Sequence, residues 1–259
     1  DKKAATRFWL DDAPLVLLEA LESGVLQRYD AVVVDEGQDF ASSWWEVLEE
    51  CLHNKPRAPP PAAPAARRPL HDRMVVFYDP SQVIFGRSAQ LPDFPSFRLT
   101  RNFRNTRQIA EVVQILGNVE MEPAERCPDG PPPEVHSEPS APKLKRLIGE
   151  LLSHLINKEN IATDQVVILT PHSRKNSFLK GEESVGDFPL VDTLVERRGQ
   201  PGSVLHTTIA AFKGLESDVV ICVHTDPADP RCSRNARYVA FSRARHVLHV
   251  YGRKNPLQP

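Results

Sequence analysis

The chain has 259 residues, 41% of them hydrophobic and 25% charged, with a formal net charge of -2. That is the composition of a globular protein with a sizeable core, and the absence of a basic excess restricts any nucleic-acid contact to a local patch. No apolar run is long enough to span a bilayer and no signal-peptide pattern opens the chain, so a cytoplasmic protein without membrane contact is expected.

The first helix is predicted from Asp12, a capping residue ahead of Ala13-Pro14, to a stop at Gly24. Ala31 to Asp35 is a short apolar run ending in acid, the pattern of a buried parallel strand. Trp44, Val47, Leu48, Cys51 and Leu52 recur at helical spacing, which assigns Trp44 to the core. Prolines cluster over Pro56–Pro69 and again over Pro123–Pro142, and both stretches read as extended or disordered connections. Met74 to Asp79 is a second buried strand with an acid at its end. Ile109, Val112, Val113 and Leu116 mark a helix, and Leu144 to Ile156 a longer one. Val166–Leu169, Ser203–Thr208, Val219–Val223 and Val247–Tyr251 read as strands.

Strands alternating with helices imply an α/β protein with parallel sheets, whose ligands sit at the carboxyl ends of the strands. Two strands deliver acids there, Asp35 and Asp79. The string Val32-Val33-Val34-Asp35-Glu36-Gly37-Gln38-Asp39 offers a carboxylate for a metal ion and a neighbouring one able to take a proton from water. None of Cys51, Cys127, Cys222 and Cys232 forms a C-x-x-C pair, and the nine histidines show no ligand spacing, so a zinc site is not expected.

These residues resemble the motifs of superfamily 1 helicases of the UvrD/Rep type, in order. VVVDEGQD is similar to motif II, Val75–Gln82 to motif III, Leu99–Thr106 to motif IV, Thr207–Glu216 to motif V, and Tyr238–Arg245 to motif VI. The resemblance runs from about Tyr29 to Tyr251. It implies two RecA-like P-loop NTPase domains, the first N-terminally truncated, divided as residues 1–95 and 96–259. It also implies ATP and Mg²⁺ as cofactors, bound between the domains, and single-stranded or partly duplex DNA as partner, with RNA left open.

By the same resemblance Asp35 holds Mg²⁺, Glu36 activates water, Gln82 senses the γ-phosphate, and Arg104 and Arg243 serve as arginine fingers. Asp79, Gly214 and Glu216 line the nucleotide. Thr208 contacts a nucleic-acid phosphate and Phe85 stacks on a base. The DEGQDF form is closest to helicases that accompany nuclease-related domains.

Several features depart from the family. No G-x-x-x-x-G-K-[ST] loop occurs, and only a short stretch precedes Asp35, so that loop is expected upstream of Asp1 and this segment alone is expected to be inactive. Tyr78 stands for a usual glycine, Ala210 for a common histidine, and Gly86-Arg87 where a tryptophan is expected. The spacing between Arg104 and motif V leaves little room for a large inserted domain. The main alternative is a catalytically silent, ATP-switched nucleic-acid or protein binding module. An interaction scaffold and a metal nuclease built on Asp35, Glu36 and Asp39 are the remaining rivals.

Overall fold

The computed structural model describes residues 7–53, 73–84, 91, 93–137 and 140–252, in two compact units, Asp1–Arg98 and Leu99–Pro259. The proline cluster at 56–69 and Phe85 lie outside the described residues.

The first unit is small. A π-turn at Phe8–Asp12 runs into helix α1 (Ala13–Glu22), with Pro14 in the first turn, where the missing N–H costs nothing. Strand β1 (Val32–Val34) pairs in parallel with β2 (Met74–Val76), and α2 (Ser42–Glu50) lies between them in sequence. Val34, Trp45, Leu52 and Met74 form the core, with Val32, Phe40, Leu48 and Val76 packed against it.

Two expectations are corrected here. Trp45, not Trp44, is the core residue: it is 5% exposed and its ring packs on Phe40, centroids 5.5 Å apart. Trp44 points outward and donates from Nε1 to the Trp9 carbonyl at 2.8 Å. The strands are also not buried on both faces. Alternation places Val33 (68% exposed) and Val75 (50% exposed) on the face opposite Trp45 and Leu48, and two strands with one covering helix bury one face only.

The second unit is built on a seven-stranded sheet. Its strands are β5 (Glu134–Ser137), β6 (Val166–Thr170), β7 (Ser184–Val185), β8 (Phe188–Val191), β9 (Val204–Thr208), β10 (Ser217–Cys222) and β11 (Ala244–Gly252), in spatial order β5-β11-β10-β6-β9-β8-β7. Every pairing is parallel except β7 with β8. The central strand β6 is buried at all five residues, as an apolar run covered on both faces requires.

A short parallel pair, β3 (Arg101–Asn102) with β4 (Glu122–Pro123), brackets helix α3 (Arg107–Gly117). Helix α4 (Ala141–Ser153) continues into a π-turn at His154–Lys158 and buries Leu144, Ile148 and Leu152 in the core with Ile168, Ile221 and Tyr251. Gly149 of α4 meets Gly186 of the β7–β8 turn so closely that a Cβ on either would stand 3.2 Å from the other's backbone. Helix α5 (Leu194–Gly199) carries a capping box between Thr193 and Glu196, and α6 (Arg234–Phe241) packs against α3.

The second proline-rich stretch holds strands after all. β4 ends on Pro123, and β5 follows Pro131–Pro133 as an edge strand, the position where proline's missing donor is tolerated. Among the described residues no helix is long and apolar enough to cross a membrane.

Candidate functional site

In the first unit, the chain leaves β1 at Asp35 and turns sharply. Glu36 adopts φ 54° and ψ 41°, a left-handed conformation that costs a non-glycine residue roughly 1–2 kcal/mol. Its N–H donates to Asp35 Oδ1 at 2.9 Å. Gly37 then lies against β2: a Cβ there would stand 2.5 Å from Val76 Cγ1, and the Gly37 N–H donates to the Phe77 carbonyl at 2.9 Å. Only glycine permits that approach.

Gln38 opens the link to motif III. It is buried, its Nε2 donates to Glu36 Oε2, and its Oε1 accepts from the Asp79 N–H at 3.0 Å. Asp79 in turn caps the 3₁₀ turn Pro80–Gln82, accepting from the Ser81 N–H at 2.9 Å on Oδ1 and from Gln82 Nε2 at 2.9 Å on Oδ2. Glu36, Asp79 and Gln82 are therefore joined in one polar chain through Gln38. Sequence reasoning gave Gln38 no role, although an amide lodged between Glu36 and Asp39 was the available signal. Gln82 Oε1 is buried and accepts no hydrogen bond.

The exposed Asp35 carboxylate beside half-buried Glu36 is a hard oxygen donor set of the kind Mg²⁺ takes together with phosphate oxygens and water. Asp79 is less suited to a cation, since both its oxygens already accept protein donors.

In the second unit, motifs IV, V and VI meet. Arg104 Nε lies 2.9 Å from Glu216 Oε2, and Arg245 Nε is 3.7 Å from Glu216 Oε1. The loop holding Arg104 is fixed by two buried asparagines. Asn102 Oδ1 accepts from the Arg104 N–H at 2.9 Å, and Asn102 Nδ2 donates to Asn105 Oδ1 at 2.7 Å. Asn105 Nδ2 donates to the carbonyls of Ser242 and Ala244, the residues flanking Arg243. Neither asparagine was singled out from the sequence.

Arg243 is 2% exposed and donates to the Val239 carbonyl (3.1 Å), Ser242 Oγ (2.8 Å) and the Leu215 carbonyl (3.4 Å), next to Glu216. Gly214, with φ 79°, closes the turn that delivers Leu215 and Glu216. Arg104, Gly214, Glu216 and Arg243 are thus neighbours around one loop.

Thr208 lies at the end of β9, where its Oγ1 accepts from the Ala211 N–H at 3.1 Å. It lines a groove of about 590 Å³ together with Arg174, Lys175, Asp192 and His206. The imidazole of His206 has no exposure; burial, with help from Arg174 and His224, pushes its pKa down to about 4. Asp192 Oδ1 is 3.9 Å away, but Arg174 Nη2 holds that carboxylate at 3.1 Å, so desolvation wins over attraction. The expectation that histidines form no ligand-spaced cluster is also corrected, because strand pairing brings His136 and His249 to Glu134.

The mostly parallel, helix-covered sheet defines the class as α/β. Within it, residues 203–251 match the family model of the UvrD-like helicase C-terminal domain. This span runs from β9 to β11 and contains motifs V and VI, so the UvrD-like resemblance is borne out there. Among solved structures, the chain is similar to the C-terminal domain of a possible DNA helicase from Lactobacillus plantarum WCFS1, with 21% identity, TM-score 0.44, and coverage of 60% of this chain and 91% of that one. It is also similar to the Arterivirus nonstructural protein 10 helicase, with 14% identity, TM-score 0.42, and coverage of 90% of this chain and 41% of that one. No match is found among curated protein sequences.

Proposed function

We propose that this chain is the motor segment of an ATP-dependent DNA helicase or translocase, in which hydrolysis drives movement on single-stranded DNA. The observation that carries the reading is the match of residues 203–251 to the UvrD-like helicase C-terminal domain, a span in which Glu216 holds Arg104 of motif IV. The two units are read as two RecA-like domains, residues 1–95 and 96–259, the first lacking its P-loop portion. The uncovered apolar face at Val33 and Val75 supports that truncation.

We read the acids of the first unit as metal and water ligands, and the arginines of the second as phosphate ligands, each within its own unit. Asp35 holds Mg²⁺, which neutralises phosphate charge when bound with ATP. Glu36, re-aimed by its left-handed turn, accepts the proton of the attacking water. Gln82, its Nε2 held by Asp79, presents Oε1 as an acceptor; contact with a phosphate oxygen requires the amide to turn its nitrogen away from Asp79. Arg104 exchanges Glu216 for phosphate oxygens, a bidentate partner that guanidinium fits well. Glu216 is then released toward the ribose, and Thr208 meets a strand phosphate.

A second reading rests on Arg243. Its guanidinium is buried and committed to main-chain and hydroxyl acceptors, which is what a structural arginine in a silent, ATP-switched binding module also does.

DNA-stimulated ATP hydrolysis separates the two. The segment alone is expected to give no measurable turnover. The protein carrying its upstream sequence is expected to turn over, and to lose about 10³-fold or more in Arg243→Ala and comparably in Glu36→Gln. Turnover unchanged by both substitutions refutes the motor assignment. ATP binding without hydrolysis in the longer protein selects the silent module.

A further inference from the structure

The pairing of β5 with β11 assembles a side-chain cluster that the motor chemistry does not use. The register sets His249 opposite Glu134 and Tyr251 opposite His136. With side chains alternating along each strand, all four point to one face of the sheet. His136 stacks on Tyr251, centroids 4.6 Å apart, and lies nearly parallel to His249 at 6.0 Å.

A single carboxylate oxygen, Glu134 Oε2, stands 3.3 Å from His136 Nε2 and 3.4 Å from His249 Nδ1, and the three donor atoms lie within 4.8 Å of one another. Neither contact has good hydrogen-bond geometry, and His136 Nε2 and both ring nitrogens of His249 are buried without a well-aligned partner. His249 is only 4% exposed.

Two explanations compete. An imidazolium–carboxylate pair needs an N–H aimed at the carboxylate, and at 3.3 and 3.4 Å neither ring makes a well-aligned hydrogen bond to it. One oxygen also serves two rings poorly as a hydrogen-bond acceptor. A bound cation suits the lone pairs of both rings and the carboxylate oxygen between them. Metal–nitrogen and metal–oxygen bonds of about 2.0–2.1 Å in a tetrahedron place neighbouring donors about 3.3–3.4 Å apart, the separation of these contacts.

We propose that Glu134, His136 and His249 form a divalent transition-metal site of the zinc class, which ties edge strand β5 to β11. His136 binds through Nε2, His249 through Nδ1 and Glu134 through Oε2, the neutral imidazoles and carboxylate being the ligating forms. The clip closes an edge strand that follows three prolines and is secured along one side only.

The test is Zn²⁺ titration of the whole chelator-stripped chain, by calorimetry and by competition with a chromophoric chelator. One equivalent is expected to bind, with added protection of β5 amides in hydrogen exchange. The partly exposed ligands allow variants that keep the fold, checked by circular dichroism: His136→Ala and Glu134→Gln should each weaken binding at least tenfold. His53→Ala, outside the cluster, should not change it. Co²⁺ should show tetrahedral visible bands that His136→Ala abolishes. Absence of binding, or binding and Co²⁺ bands equally strong in His136→Ala and Glu134→Gln, overturns the proposal.

Discussion

Acidification should destabilise the second unit through His206, by an amount that the structure sets. Above pH 6.5, the ordinary histidine value, this ring is neutral in both the folded and the unfolded chain and adds nothing to pH dependence. Below it the unfolded ring takes up a proton that the folded ring refuses until about pH 4, because burial on β9 strips it of solvent. Stability therefore falls as the pH drops through that window and levels off beneath it. A window of about 2.5 pH units at 1.36 kcal/mol each is worth about 3 kcal/mol. All three tryptophans lie before Asp79, so unfolding of this unit is best followed in urea by far-ultraviolet circular dichroism. The ring's hydrogen-bonding environment is sparse, with Thr170 Oγ1 at 3.4 Å from Nε2 and Nδ1 unpartnered, so His206→Gln removes the titration at modest cost. Between pH 7 and pH 4 the native chain should lose about 3 kcal/mol more than the variant. Parallel stability curves for the two proteins would show that the folded ring takes its proton normally and that the burial argument is wrong.

Other consequences can be checked in the same way. Arg104→Ala should shift folding stability by less than about 1 kcal/mol in urea titrations, since Arg104 and Glu216 are each more than two-fifths exposed. A large loss of ATP turnover in the same variant of the longer protein would assign its role to catalysis. Gln38→Ala removes the acceptor of the Asp79 N–H and should cost about 1–3 kcal/mol in the first unit, read by tryptophan fluorescence. Gly117→Ala would place a Cβ 2.5 Å from the Tyr238 ring and force α3 from α6, with an expected loss of about 1–3 kcal/mol and a lower Tm.

The elements whose signal is local were legible. Helix α1 carried its proline and glycine punctuation, α3 and α4 their apolar stripes, and β6, β9, β10 and β11 their uninterrupted apolar runs. Motifs V and VI, within residues 203–251, were legible for the same reason, since each is a short contiguous string. The hairpin β7–β8 was not, because Pro189 and the glycines around it mask a strand until β9 is present to pair with it. The choice between Trp44 and Trp45 failed by one position. Adjacent helical residues lie about 100° apart, and only the placement of Phe40 and β1 shows which face turns inward.

For the candidate site, residue type proposed Asp35 and Glu36 and the motif resemblance added Gln82, Arg104, Glu216 and Arg243, but neither gave the atoms between them. Gln38 joins motif II to motif III, and Asn105 joins motif IV to motif VI, each through bonds between residues far apart in sequence.

Composition, periodicity and motif strings by themselves determined an α/β chain with parallel strands, acids at two strand ends and helicase-like arginines downstream, since these depend on neighbours within one turn or one strand. Tertiary structure alone decided that Val33 and Val75 face outward, that Arg243 is enclosed, that His206 is held neutral and that Glu134, His136 and His249 converge. Those properties depend on which distant segment covers a residue, and strand pairing and burial fix that only when the chain has folded.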